Sequence, residues 1–190
     1  MDTSQLVRGY IEEVRSTLSR LPVEEIERIV EVLEKARAER RRVFILGNGG
    51  SAATASHFAC DLGKGAMRPD RPRMRAIALT DNLPSITAWA NDTTYENVFT
   101  EQLEAHLEEG DIVIGISGSG NSPNVLNALK LANSKGATTI SLTGFDGGKS
   151  KDIARHCIVV PNNSMEQIED IHLLLEHIVP ACLRESDRSC

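Results

Sequence analysis

The sequence predicts an α/β fold: a five-stranded parallel sheet flanked by helices, preceded by a helical extension. Three observations predict it. Short, nearly unbroken apolar runs recur, as in Val43–Leu46, Asp111–Ser117 and Thr138–Leu142; such runs mark strands buried on both faces. Segments of helical composition stand between them, and this alternation is the mark of a parallel sheet. Two of the runs end in turns rich in glycine and serine, and open α/β sheets bind ligands at the carboxyl ends of their strands.

The elements follow in order. Leu6, Tyr10, Ile11, Val14 and Leu18 recur at helical spacing, as do Ile26, Ile29, Val30 and Leu33 after the Leu21-Pro22 break, so residues 3–40 read as two helices. The basic run Lys35–Arg42 reads as a solvated helix end. Val43–Leu46 is the first strand, and Ala52–Leu62 has helical composition. Arg75–Leu79 is the second strand, after the polar loop Arg68–Arg73, and a helix begins near Pro84. Glu96–Leu107 reads as helix, Asp111–Ser117 as the third strand, and a further helix runs to about Ser134. Thr138–Leu142 and Cys157–Val160 are the last strands. Ser164–Leu183 is a long final helix, with Ser164 at the N-cap and Gln167 at the capping-box position. No composition shift marks a linker, so residues 1–190 read as one domain: a helical extension over 1–40 and an α/β core over 41–190.

Composition narrows the function. The 190 residues are 41% hydrophobic and 25% charged, enough for a core that needs no disulfide or metal staple. The formal charge of -6 argues against general affinity for nucleic acid or anionic membrane, and 4% aromatics argues against a base-stacking surface. No apolar run reaches the ~18 residues of a membrane span, and the start of the chain lacks a signal-peptide core. Cys60, Cys157, Cys182 and Cys190 are scattered and read as reduced thiols, which with the rest predicts a cytoplasmic protein.

The two turns after strands carry the chemistry. They are Gly47-Asn48-Gly49-Gly50-Ser51 and Ser117-Gly118-Ser119-Gly120-Asn121-Ser122. Glycines admit a ligand close to the backbone, helix N-termini offer free N–H groups, and serine hydroxyls add donors without charge. Together these suit a phosphate monoester. No Gly-Lys-Ser/Thr follows, so neither turn is a P-loop; the acidic ribose contact of a dinucleotide fold is not in place, Asp81 coming late. Serines without a P-loop lysine point to a sugar phosphate before a nucleotide.

These turns, with His57-Phe58-Ala59, Ala90-Asn91-Asp92, Leu142–Gly148 and Ile171-His172, resemble the sugar isomerase (SIS) domain family, in its phosphoheptose isomerase branch. The resemblance covers nearly the whole chain and implies a flavodoxin-like three-layer sandwich. It implies phosphate binding by Ser51, Ser117, Ser119 and Ser122, with Gly118 where the family usually has threonine. It also implies sugar contacts from Asn48, Gly49, Gly50, Asn91 and Asp92.

Four further residues form a second constellation. His57 and Asp61 are four apart on one helix face; Glu169 and His177 are eight apart on the last helix, with His172 nearby. Singly, each histidine is more simply a hydrogen-bonded core or interface residue, and each carboxylate a surface charge. Together, two imidazoles and two carboxylates match the ligand preferences of zinc and similar divalent metals. The resemblance implies the same set: His57, Asp61, Glu169 and His177 as metal ligands. The family usually has glutamate at Asp61 and glutamine at Glu169. By that resemblance Asp61 moves the proton of an aldose–ketose isomerisation and His177 acts as the acid. Glu169 could share or take the carboxylate role, and Asp61 and Glu169 would also touch substrate. The expected reaction converts sedoheptulose 7-phosphate to D-glycero-D-manno-heptose 7-phosphate through an enediol. The alternatives are an isomerase of another sugar phosphate and a non-catalytic phosphosugar sensor or replication-initiator binder. Surplus apolar faces on the first and last helices, with the resemblance, suggest a homotetramer with sites between subunits. His106 and His156 suggest no site.

Overall fold

The computed structural model describes residues 2–185; Cys190 lies outside the described residues. Two helices, α1 (Thr3–Leu18) and α2 (Val23–Ala38), precede β1 (Arg42–Gly47), α3 (Gly50–Cys60) and β2 (Arg75–Ala78). Helices α4 (Leu83–Asp92) and α5 (Thr100–His106) lead to β3 (Ile112–Ile116) and α6 (Pro123–Ser134). Then come β4 (Thr138–Thr143), the single turn α7 (Ser150–Ile153), β5 (His156–Val159) and α8 (Met165–Glu185). All pairings are parallel, in the order β2-β1-β3-β4-β5. The order reverses between β1 and β3, and the crevice outside such a switch point is where this topology takes its ligands.

The unbroken strands are explained by their two faces. Val43, Ile45, Ile112, Ile114, Ile140 and Ile158 pack against α2, α3 and α8. Phe44, Leu46 and Val113 face the other way, into a core with Phe99, Leu103, Val125 and Leu129 from the α5 and α6 side. Each fully buried side chain of this size contributes about 1.5–3 kcal/mol, so neither face tolerates a polar run.

The structure departs from sequence expectation in several places. The basic run is not solvated throughout. Arg37 is buried and donates to the carbonyls of Ala66 and Leu183, each at 2.9 Å, and to Glu34, which Arg71 also reaches. A guanidinium forks to several acceptors, and here it ties α2 to the ends of α3 and α8. Arg42 opens β1 and pairs with Asp111 at 3.0 Å. The expected helix over Glu96–Leu107 is broken: a 3-10 turn at Tyr95–Asn97 precedes α5. The capping box is not formed. Ser164 Oγ donates to Glu166, while Asn162 Oδ1 accepts from the Ser164 N–H at 2.7 Å and Asn162 Nδ2 donates to Gln167. A side chain two residues upstream serves that N–H, so Gln167 turns away to Asn162 and Glu13.

Helix α1 leaves its apolar stripe uncovered. Leu6, Val7 and Ile11 are more than half exposed, and of this helix only Thr17 is buried. A groove of about 1310 Å³ runs beside it, lined by Leu18, Leu21, Val23, Ile26, Leu174 and Ile178 among others.

Candidate active site

The two glycine-serine turns lie side by side because β1 and β3 are neighbours. In the first, Gly49 adopts φ +56°, a left-handed conformation that favours glycine, and α3 starts at once. Ser51 is buried in its first turn. In the second, the Ser117 and Ser122 hydroxyls meet at 3.0 Å, and Ser119 Oγ accepts from the Asn121 N–H at 3.2 Å. Gly118 has a local reason: a Cβ there would lie 2.4 Å from Met165 Sδ. The methionine of α8 fills the space a larger residue would need.

An amide pair clamps the turns together. Asn48 and Asn124 exchange two hydrogen bonds of 2.9 Å, and the Tyr95 hydroxyl donates to Asn48 Oδ1 at 3.0 Å. Asn48, expected to touch sugar, therefore spends most of its amide on this clamp and keeps one N–H for a ligand. Asn124 and Tyr95 carried no motif in the sequence; only the pairing of β1 with β3 brings them in. Asn91 and Asp92 end α4 just before Tyr95, and the Asn91 amide donates to Asp92 at 2.9 Å.

The second constellation lies where α3 meets α8. His57, near the end of α3, faces α8; at Asp61 the helix widens into a π turn over Asp61–Gly65, a distortion common at functional sites. Four side chains converge: His57, Asp61, His177 and Glu176, each offering a ligand atom within 4.8 Å of the others. Asp61 Oδ2 lies 3.9 Å from His57 Nε2 and 3.8 Å from His177 Nε2. The two rings meet edge to face, centroids 5.0 Å apart. The structure thus brings together three of the four expected residues. Glu169 stands elsewhere: a Cβ on Gly50 would lie 2.9 Å from its Oε2, which sets this carboxylate over the first turn. Helices α3 and α8 run in the same direction, so seven residues separate Gly50 from His57, and Glu169 from Glu176. That spacing is about 10 Å along a helix.

Glu176 is not singled out in the sequence, where it stands beside His177; seven residues from Glu169, it lies within about 20° of that residue's face of α8. Its carboxylate is fully buried, and burial, then the charge of Asp61, push its pKa up to about 7. Oε1 lies 2.8 Å from His57 Nδ1 and 3.3 Å from His177 Nε2, yet neither oxygen has hydrogen-bond geometry to a partner.

His172 serves the scaffold. It is buried and its Nε2 meets the Thr143 carbonyl at 3.2 Å, so Nε2 carries the proton. Burial pushes its pKa down to about 4, against the weaker opposing pull of that carbonyl. Between pH 6.5 and 4 the unfolded chain binds a proton here and the folded chain does not. Stability is therefore lost as pH falls through that window, by about 3 kcal/mol in total, and levels off below it. Glu176 acts in the opposite sense between pH 7 and 4.5, so the measurement is comparative. Urea unfolding at pH 7 and pH 4 should show wild type losing about 3 kcal/mol more than His172→Gln; parallel pH profiles would refute the assignment. His156 Nδ1 pairs with Glu25 at 3.0 Å and ties β5 to α2.

A parallel sheet of order 2-1-3-4-5 with paired glycine-serine turns at its switch point defines a flavodoxin-like α/β protein with a ligand crevice built from those turns. The family model described as SIS domain matches residues 9–144. A phosphoheptose isomerase of Aliarcobacter butzleri is 44% identical over 161 residues, covering 81% of this chain and 85% of the relative. A probable phosphoheptose isomerase of Thermoplasma acidophilum is 39% identical, covering 94% and 97%. The structure of phosphoheptose isomerase GmhA from Neisseria gonorrhoeae superposes with a TM-score of 0.90 at 30% identity, covering 97% of this chain and all of that one. The chain belongs to the SIS domain family, in the branch of the phosphoheptose isomerases.

Proposed function

We propose that this chain interconverts sedoheptulose 7-phosphate and D-glycero-D-manno-heptose 7-phosphate. The observation that carries the reading is the likeness to phosphoheptose isomerases across nearly the whole chain, joined to two chemical features of the fold. The hydroxyls of Ser51, Ser117, Ser119 and Ser122, with the N-termini of α3 and α6, suit a phosphate. The imidazole and carboxylate cluster at the α3–α8 seam suits proton transfer beside a carbonyl.

Each residue then has a task. The serine cradle fixes the phosphate and so the reacting carbons. Asn48 and the Gly49-Gly50 backbone line the sugar's path, with Asn91 and Asp92 beside it. A carboxylate, Asp61 or Glu169, takes a proton from C1 of the ketose and a proton returns at C2. His177 delivers a proton to the carbonyl oxygen and withdraws one from the neighbouring hydroxyl. The donor set of His57, Asp61, His177 and one α8 carboxylate fits zinc or a similar divalent ion, and the unpartnered carboxylate of Glu176 is the feature that fits best. An ion held by these residues would supply Lewis-acid polarisation of the carbonyl and stabilisation of developing negative charge.

The cluster lies two helical turns from the serine turns of its own chain, and His177 is half exposed. The bare apolar stripe of α1 and the groove beside α8 would be covered by other copies. Both features support a homotetramer whose sites lie between subunits. No helix of the described residues is long and apolar enough to cross a membrane, and the free thiols of Cys60, Cys157 and Cys182 suit a reducing cytoplasm.

The test is NMR of zinc-loaded protein with a panel of phosphoketoses. Sedoheptulose 7-phosphate should be converted to the aldose fastest. A folded, metal-loaded protein that leaves every member unchanged would refute the reading in favour of a phosphosugar-binding role.

A further inference from the structure

The first turn of α8 presses on two glycines at the carboxyl edge of the sheet. Ile168 fills the space beside Gly144, where an added Cβ would collide with its side chain. Met165 fills the space beside Gly118, where an added Cβ would overlap Sδ and lie 3.4 Å from Cε. Three residues apart, the two side chains are neighbours on one face of the helix. Their settings differ. Ile168 is fully buried, whereas Met165 keeps 39% of its surface exposed at the rim of the second glycine-serine turn.

Hydrogen bonds hold that turn on its β4 side. The Ser117 N–H donates to the Leu142 carbonyl at 3.0 Å, and the Gly118 carbonyl accepts from the Gly144 N–H at 2.9 Å. Gly118 is itself buried between Ser117 and Ser119. With no side chain, it depends on its neighbours to limit its backbone angles. On the α8 side that neighbour is Met165.

We propose that Met165 is a positioning residue of the phosphate subsite: it pins Gly118 from the α8 side, so that the Ser117 and Ser119 hydroxyls stand ready for a phosphate monoester with no side chain at position 118. The inference deepens the function proposed above and rests on it for the ligand. Its physical basis is ordering. A glycine free to move must be fixed when the ligand binds, and fixing one residue's backbone lowers affinity by about ten-fold. A methionine already packed against that glycine shifts this loss to folding. A side chain at position 118 would need the volume that Met165 fills, so the two exclude each other.

The experiment is calorimetric titration of the full chain with ribitol 5-phosphate, a phosphate ester with no carbonyl to isomerise. Met165→Ala should weaken binding by about ten-fold, with the melting temperature little changed, since the side chain is partly exposed. Met165→Leu keeps the volume and should bind within a few-fold of wild type. Gly118→Thr should gain nothing in wild type, where Met165 must first leave the turn. On the Met165→Ala background it should recover most of the lost affinity. Wild-type affinity in Met165→Ala overturns the inference, because a merely structural methionine would move the melting temperature alone. Met165→Leu as weak as Met165→Ala overturns it as well. So does an equal effect of Gly118→Thr on both backgrounds, which would make the two positions independent. The single Met165 variants decide even if the doubly substituted chain fails to fold. Wild type that does not bind the ester refutes the phosphate cradle and the function built on it; wild type that binds while Met165→Ala matches it refutes the role of Met165 alone.

Discussion

His177→Ala lowers kcat for the isomerisation by about 10²–10⁴-fold, the contribution of a positioned general acid, while a non-reacting phosphate ester binds within a few-fold of wild type. The split follows from geometry. His177 is on α8, two turns from the serine turns, and its Nε2 faces Asp61 at 3.8 Å. Among the described residues its ion-pair partners are Asp61 and Glu176, neither of them part of the phosphate cradle. Alanine removes the proton donor and one imidazole of the cluster and leaves Ser117, Ser119 and Ser122 untouched. Steady-state kinetics with calorimetric titration of the ester would check it. A variant that turns over normally refutes the acid assignment, and one that loses ester binding equally refutes the separation of the two subsites.

The second large effect belongs to the cradle. Ser117→Ala with Ser122→Ala removes two hydroxyls that lie 3.0 Å apart. Hydrogen bonds to a charged group contribute about 1.5–3 kcal/mol each, so the pair should raise KM for the sugar phosphate by about 10²-fold or more. Ser117 is buried and small, and alanine fits its space, so thermal melting should change little. A KM within a few-fold of wild type would show that the phosphate sits elsewhere, on the N–H groups of α3 alone or on another surface.

Much of this organisation was readable before the structure, for identifiable reasons. Strands β1, β3 and β4 are buried on both faces, so they appear as unbroken apolar runs. The glycine-serine turns are readable because their chemistry is local. What depends on tertiary pairing was not. Arg37 looks like any basic residue at a helix end, and only the approach of Ala66 and Leu183 makes it a buried tie. The π turn at Asp61 leaves no periodic signal in five residues. Glu176 was hidden by its neighbour His177: helical spacing selects residues on one face, and the seam between two helices accepts side chains from both sides of that face. Glu169, expected together with His177, stands two turns away from it and about 80° round the helix, because eight residues advance about 12 Å and do not return to the same angle.

Binding energy at the phosphate must be used at the carbonyl end if the cradle and the cluster serve one reaction. The direct measurement is kcat/KM for sedoheptulose 7-phosphate and for unphosphorylated sedoheptulose on the same zinc-loaded protein. A single substrate gripped at one end and isomerised at the other predicts a loss of about 10³-fold or more without the phosphate. Equal rates for the two sugars, or no turnover of either, would contradict it.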